Sequence, residues 1–344
     1  MNVLIVGGCG FVGANLATMF EDDGYKVRCV DNLSRKGANI NLGRITAPTF
    51  VGGVKEFFQQ SGFIRWEPDI ILNCSAQSRS MAGIEDPSAD FYGNVETTFY
   101  CLELARKYDC PIIHWSTNKV YGEKEVNRIN LIEGETRFNV DDAFEPPTIP
   151  LKDEGARTVY GATKLAAENL IDEWSRLYGI PCIRNRFSCL AGPHQYGCSD
   201  QGWVALWMIN HFLNKPLKYL GWNGKQVRDV LHVDDLYQLI KIQASYLMAG
   251  HSETVNDIYN VGGGVSNSLS LRECTAICER LTGNDLNIQV DPEPRWADQR
   301  VYVSDITKVT EKFGWEPTKS PAETLTDIHA WLEEDEAVIR GFYL

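Results

Sequence analysis

The chain has 344 residues, 44% apolar and 23% charged, an ordinary globular composition that excludes a disordered, collagen-like or disulfide-stapled miniature protein. Thirty-three Lys and Arg against 46 Asp and Glu give a net charge of −13, so the undirected field repels nucleic acid and anionic membrane, and any anionic ligand needs a local basic pocket. No apolar run approaches the roughly 20 residues of a membrane helix, Met1 leads into an apolar strand without a basic leader, and ten cysteines lack metal spacing; together these predict a cytoplasmic protein with reduced thiols and no metal.

Residues 3–6 form a continuous apolar run that breaks at Gly7, and Phe11–Asp22 then has helical character: a strand feeds a helix. Residues 25–30, 69–73, 112–115 and 182–186 read as further buried strands, separated by helical stretches that include 94–108 and 160–178. The alternation predicts an α/β fold, a Rossmann-type doubly wound parallel sheet with right-handed crossovers, followed by a smaller C-terminal α/β substrate lobe. Residues 130–157, acidic and carrying Pro146, Pro147 and Pro150, read as a long functional loop over the cleft. Beyond 186 the pattern loosens into turn-rich pieces at 191–202 and 221–224. Residues 229–246 and 258–261 are expected to return to the first domain as a helix and a strand. The expected division is 1–186, with 229–262 returning to it, as the dinucleotide-binding domain, and 187–228 with 263–344 as the substrate lobe.

Gly7, Gly10 and Gly13 form Gly-x-x-Gly-x-x-Gly between the first strand and the first helix, where a tight turn brings backbone amides, including those of Phe11 and Val12, close to a pyrophosphate. Asp31 ends the second strand, where a carboxylate accepts hydrogen bonds from the adenosine ribose hydroxyls. Arg35 and Lys36 could instead hold a 2′-phosphate, but Asp31 repels that group, so NAD is favoured over NADP.

Tyr160 and Lys164 stand i,i+4 at the start of a predicted helix and project from one face. A neighbouring ammonium stabilises tyrosinate and is expected to bring the phenol down toward neutrality, as a general base requires; the same spacing also fits a solvated helix face. Ser116 and Thr117 follow the strand 112–115 at the carboxyl edge of the sheet, placed either to orient a substrate alcohol or simply to satisfy the strand-ending turn.

These residues resemble, over nearly the whole chain, the extended short-chain dehydrogenase/reductases that act on nucleotide sugars. The resemblance rests on the glycine loop, Asp31, Thr117, Tyr160 with Lys164, and residues 224–235. Three longer strings, Asp31-Asn32-Leu33-Ser34-Arg35-Lys36-Gly37, residues 116–122 and residues 200–204, resemble the CDP-paratose 2-epimerase (CDP-tyvelose epimerase) branch. The resemblance implies oxidation of a sugar hydroxyl by bound NAD and return of the hydride to the opposite face, with carbon 2 the inverted centre and lipopolysaccharide O-antigen the setting. Tyr160 is then the base, Lys164 tunes it and holds the nicotinamide ribose, and Thr117 aligns the hydroxyl. Asn118 and Lys119 stand where related dehydratases carry Asp-Glu, which argues against elimination of water.

The resemblance further implies that Arg228 and Arg295 pair with the substrate pyrophosphate. Asp298 either caps a turn or holds a ribose hydroxyl. Asn118, Ser188, Gln195, Gln201 and Trp203 are candidates for sugar and base recognition, His194 is either such a ligand or a satisfied structural histidine, and His232 serves a turn. Asn32, Ser34, Arg35, Ala76 and Gln77 lie near the cofactor, and Asn94 either caps its helix or supports Lys164. Relatives carry Gly-Asp after the third strand for adenine, whereas Val54 follows Gly53 here, which predicts more apolar adenine contacts. Relatives pair helices 94–108 and 160–178 between subunits, so the resemblance implies a homodimer or homotetramer. The alternatives left open are a UDP-sugar 4-epimerase, a net NAD-dependent dehydrogenase or reductase, and a catalytically silent cofactor-binding protein.

Overall fold

The computed structural model describes residues 1–61, 66–79, 82–128, 130–140, 155–250 and 255–344. Seven strands form the central sheet: β1 (Asn2–Val6), β2 (Lys26–Asp31), β3 (Thr49–Val51), β4 (Ile70–Asn73), β5 (Ile112–Thr117), β6 (Cys182–Phe187) and β7 (Asn256–Val261). Their spatial order is β7-β6-β5-β4-β1-β2-β3, and every neighbouring pair is parallel. Four long helices cover it: α1 (Phe11–Asp22), α2 (Thr97–Tyr108), α3 (Thr158–Tyr178) and α4 (Val233–Met248).

The central strands are buried at nearly every position because both faces are covered, apolar through most of β1 and β4 but carrying buried His114, Ser116 and Thr117 in β5 and Arg184, Asn185 and Arg186 in β6. Val3, Ile5, Ile70, Leu72, Ile113 and Ile183 pack with the buried stripes of α1 and α4. The alternate residues Leu4, Ile71, Ile112 and Cys182 pack on the opposite face, against α2 and α3. The chain leaves β1 toward β2 and β3 on one side and returns to β4 on the other, which opens a crevice beyond the carboxyl ends of β1 and β4.

The expected strands and helices fall close to where periodicity placed them, with two corrections. Ser116 and Thr117 are the last residues of β5, not a turn after it. Residues 229–232 are not helical: they belong to the strand Val227–His232, whose polar Arg228 and Asp229 masked it. That strand is the middle of a second sheet, antiparallel to Ser268–Ser270 and parallel to Val301–Tyr302 and Cys189–Ala191. α4 begins only at Val233, where His232 Nδ1 accepts the Asp234 amide at 3.0 Å, the turn role expected for this histidine. β7 does return to the central sheet, beside β6.

Within 130–157, Leu131–Glu133 and Phe138–Val140 pair as an antiparallel hairpin rather than a loop, and the three prolines lie outside the described residues. Trp203–Phe212 forms a helix without an apolar stripe in its sequence. It is apolar nearly all round, because the second sheet's layer and the helices Leu271–Thr282 and Pro321–Glu334 bury it. Among the described residues no helix is long and apolar enough to cross a membrane, and all ten cysteines are free.

One buried ionic cluster ties α3 to the sheet. The Glu168 carboxylate, 2% exposed, accepts Arg186 Nε at 2.9 Å and Nη2 at 2.5 Å, and Ser116 Oγ at 2.5 Å. Arg186 also donates to the Tyr121 hydroxyl at 3.2 Å and lies over its ring, and that hydroxyl donates to Asn260 Oδ1 at 2.6 Å. Each charge is matched, so breaking one partner is costly. Glu168→Ala is expected to lower unfolding free energy in urea by about 3–5 kcal/mol through the orphaned Arg186; a loss below about 1 kcal/mol would contradict that pairing.

Candidate active site

A cavity of ≈ 860 Å³ runs along the carboxyl ends of the central strands. Its floor is the loop after β1, and two glycines there are dictated by space. Gly7 has φ +81, and a Cβ on it would sit 2.8 Å from the Ser75 backbone where β4 exits. A Cβ on Gly13 would lie 2.1 Å from Gly7 O. The loop therefore packs against both β4 and itself, and only glycine permits the approach. α1 starts after Gly10 with no side chain capping its first turn, and Gly10, Phe11, Val12 and Gly13 all line the cavity. An uncapped helix N-terminus is an anion site.

Asp31 closes this end. Its carboxylate accepts the Cys9 amide at 2.9 Å and the Leu33 amide at 2.7 Å, which fixes it beside the glycine loop with acceptor capacity to spare for hydroxyl donors. Asn32, Ser34 and Arg35 line the same wall; Asn32 Oδ1 accepts the Ser34 amide at 3.1 Å, and Arg35 donates to Gln201 Oε1 across the cleft. A second clasp joins Arg79 to Asp200 at 2.9 Å. Ala76 and Gln77 face the cavity, while Asn94 does not: it is fully buried inside a π-helical turn, Phe91–Glu96, rather than capping a helix. There it accepts the Gln77 amide at 3.2 Å and donates to Thr163 Oγ1 at 3.0 Å, one residue from Lys164. Val54 starts the helix Val54–Gln60 and lines the cavity with Gly52 and Gly53, beside the charged Lys55 and Glu56. An anion-binding helix end beside a fixed carboxylate fits NAD and opposes a 2′-phosphate.

Thr117, Tyr160 and Lys164 meet on the opposite wall. β5 delivers Thr117 at its last position, and the first turns of α3 deliver the other two. Burial pushes the Tyr160 phenol up to about 12, with neighbouring Thr117 pulling the other way. The expectation that Lys164 brings Tyr160 toward neutrality is not met in this geometry. Lys164 is 1% exposed, its Nζ donates to Trp115 O at 2.8 Å and Ser75 O at 3.3 Å, and burial draws it down to about 8. Its charge is spent on two carbonyls rather than on the phenol.

The expected substrate residues divide. Ser188, Gln201, His194, Gln195 and Trp203 line the cavity; Asn118, Arg228, Arg295 and Asp298 do not. Asn118 is buried between Thr117 Oγ1 (3.3 Å) and Gln299 Oε1 (3.4 Å). Ser188 Oγ donates to Asp229 O at 3.2 Å. Arg228 forms an ion pair with Asp298 at 2.9 Å, and Arg295 donates to Ser199 O. Burial lowers the His194 imidazole to about 4 against the Trp331 ring, a packed neutral histidine.

Sequence reasoning missed three contributors. The Ser75 carbonyl sits in a string read only for Ala76 and Gln77. Glu168 lies one turn past Lys164 on the same face, a spacing that could have disclosed it. Lys119 lines the cavity but had been noted only for not being an acid.

Residues 3–262 match the model of the NAD dependent epimerase/dehydratase family. A CDP-paratose 2-epimerase from Salmonella typhi is 35% identical over 96% of this chain and 99% of its own. A dTDP-glucose 4,6-dehydratase from Xanthomonas campestris is 26% identical over 98% and 95%. Among solved structures, a UDP-glucose 4-epimerase with UDP-glucose from Thermotoga maritima superposes with a TM-score of 0.78 at 25% identity, covering 98% of this chain and all of that one. The chain belongs to the NAD dependent epimerase/dehydratase family, and its cofactor is NAD.

The depressed Lys164 has a measurable consequence. Its folded value of about 8 lies below the unfolded lysine value, so between these two pH values the unfolded chain binds the extra proton and stability rises with pH. From pH 8 to 10 the unfolding free energy of the wild type is expected to gain on that of Lys164→Met by up to about 1.4 kcal/mol per pH unit. Parallel curves in urea titrations would contradict the assignment.

Proposed function

We propose that this chain is a nucleotide-sugar epimerase that inverts carbon 2 of a CDP-sugar of the CDP-paratose type. The observation that carries the reading is the meeting of Thr117, Tyr160 and Lys164 on the wall that faces the uncapped end of α1. The choice of nucleotide and carbon is supported by the 35% identity, nearly end to end, with a CDP-paratose 2-epimerase. Elimination of water, the chemistry named for the dehydratase relatives, is disfavoured because Asn118 and Lys119 offer no carboxylic acid beside Thr117.

Gly7, Gly10, Phe11, Val12 and Gly13 would hold the cofactor pyrophosphate and Asp31 the adenosine ribose, with Asn32, Ser34, Arg35, Ala76 and Gln77 along the same wall. Bound there, NAD supplies a reversible hydride sink, so that a sugar alcohol can pass to the ketone and be reduced on its other face. Thr117, beside the phenol, aligns the sugar hydroxyl. Tyr160 takes the hydroxyl proton and later returns it. Lys164, held by the Trp115 and Ser75 carbonyls, would hold the nicotinamide ribose, and Asn94 steadies the first turns of α3 through Thr163. Ser188 and Gln201 face the sugar end of the cavity, and Arg228 and Arg295 stand behind that end as cations for the diphosphate.

The division of labour we infer follows the two sheets. The seven-stranded sheet with its four helices holds the cofactor, and segments 187–232 and 263–344 cover the substrate. Exposed Phe91, Leu177 and Tyr178 beside α2 and α3 support a homodimer or homotetramer that covers them. Ten free cysteines favour a reducing, cytoplasmic setting.

Tyr160→Phe is expected to keep the fold and bind NAD within about threefold of wild type while turnover of CDP-paratose falls by roughly 10²–10⁴. Turnover within tenfold of wild type would overturn the base assignment. The wild type is expected to epimerise many equivalents of substrate per bound NAD, whereas stoichiometric formation of NADH would favour a net dehydrogenase.

A further inference from the structure

Under the nucleotide-sugar reading, the substrate's densest charge is its diphosphate, and an acidic chain needs a local cluster of cations to receive it. Such a cluster surrounds Lys119. This residue follows Thr117 and Asn118 directly and lines the cavity, with its side chain 20% exposed. Its Nζ donates to Ala297 O at 3.2 Å and stands 4.0 Å from Asp298 Oδ1. The same Asp298 oxygen accepts Arg228 Nη2 at 2.9 Å. Burial, together with the charges of Arg228 and Arg295, draws the Lys119 ammonium down to about 8, and Asp298 opposes that pull. Lys119 and Arg228 thus share a single carboxylate, and the Arg295 charge acts on the ammonium from farther off.

The geometry leaves this cluster undersatisfied. Only one oxygen of Asp298 serves Arg228, and the Lys119 ammonium uses one short hydrogen bond of the three it can donate. The backbone that carries Asp298 is held by other contacts: Asn127 Nδ2 donates to Asp298 O at 2.9 Å, and Arg300 binds Asn127 through its amide (2.9 Å) and guanidinium (2.6 Å). Asp298 Oδ1 also accepts the Gln299 amide at 2.9 Å, so leaving the cations costs the carboxylate that one backbone hydrogen bond but does not unravel the segment.

We propose that Lys119 is a substrate-recognition residue that contacts the diphosphate of the nucleotide sugar from the cavity wall, and that the Asp298 carboxylate is an internal counter-ion that the diphosphate displaces. A diphosphate offers more charge and more acceptor oxygens than one carboxylate, so exchange satisfies donors that Asp298 leaves idle. Asp298 is then a competitor of the ligand rather than a contact to it. The assignment rests on the nucleotide-sugar reading but not on which carbon is inverted.

The test is calorimetric binding of inorganic pyrophosphate and of CDP to the NAD-loaded full chain at pH 7 and fixed ionic strength. Lys119→Met is expected to weaken both ligands roughly tenfold and Lys119→Arg to stay within about threefold. Asp298→Asn is expected to tighten both severalfold. Weaker binding by Asp298→Asn would overturn the counter-ion, and unchanged pyrophosphate binding by Lys119→Met would overturn the contact. Should Lys119→Met fail to fold, as thermal unfolding would reveal, Asp298→Asn decides alone, because its sign is opposite under the two roles. Binding that follows this pattern without turnover of CDP-paratose would support Lys119 and overturn the 2-epimerase reading instead.

Discussion

The catalytic wall depends on a charge placed where no solvent can reach it. Glu168 accepts three hydrogen bonds from Arg186 and Ser116, so it pins α3 to the carboxyl ends of β5 and β6. Tyr160 and Lys164 ride on the first turns of that helix, and Thr117 is the next residue after Ser116 on the strand. Their relative position is therefore set by the buried pair behind them. Such a pair contributes little net stability over an apolar substitute, but it tolerates no slippage, because an unmatched partner would be left as a bare buried charge. The carboxylate also raises the proton affinity of Lys164, partly offsetting the burial that depresses it.

The cofactor wall is built by a different constraint, close backbone approach. Gly7 lies against the Ser75 backbone and Gly13 against Gly7 O, so β1, β4 and α1 converge on one point at the switch of the sheet. The Ser75 carbonyl on one side of that contact then receives Lys164 on the other. The two walls share a hinge of a few backbone atoms, and the cavity between them spans from Asp31 to Tyr160. The clasps Arg35–Gln201 and Arg79–Asp200 reach over it from the second lobe.

What could be read from the sequence was local. The glycine spacing, Asp31 at a strand end and Tyr160 with Lys164 at one helical turn are strings a few residues long, and the structure brings each of them to the cavity. Contacts between distant segments were not legible. Nothing near Asn94 announces Gln77 and Thr163 as its partners, and nothing near Lys119 announces Asp298. Residues 229–232 of the strand Val227–His232 read as helix because Arg228 and Asp229 interrupt its apolar run, though Arg228 pairs with Asp298 and Asp229 accepts the Ser304 amide. The helix Trp203–Phe212 escaped because a segment buried all round has no periodic stripe. The direction of the Tyr160 shift was misjudged for a related reason: spacing gives which face Lys164 shares, not which carbonyls claim its charge.

The central claim is that the cavity inverts one carbon of a nucleotide sugar and keeps the abstracted hydrogen. It is tested most directly by incubating the purified chain, without added cofactor, with CDP-paratose in deuterated buffer and following the sugar ring protons by NMR. The account predicts inversion at carbon 2 with no deuterium incorporated there. Deuterium at carbon 2, or no inversion of CDP-paratose at all, would contradict it.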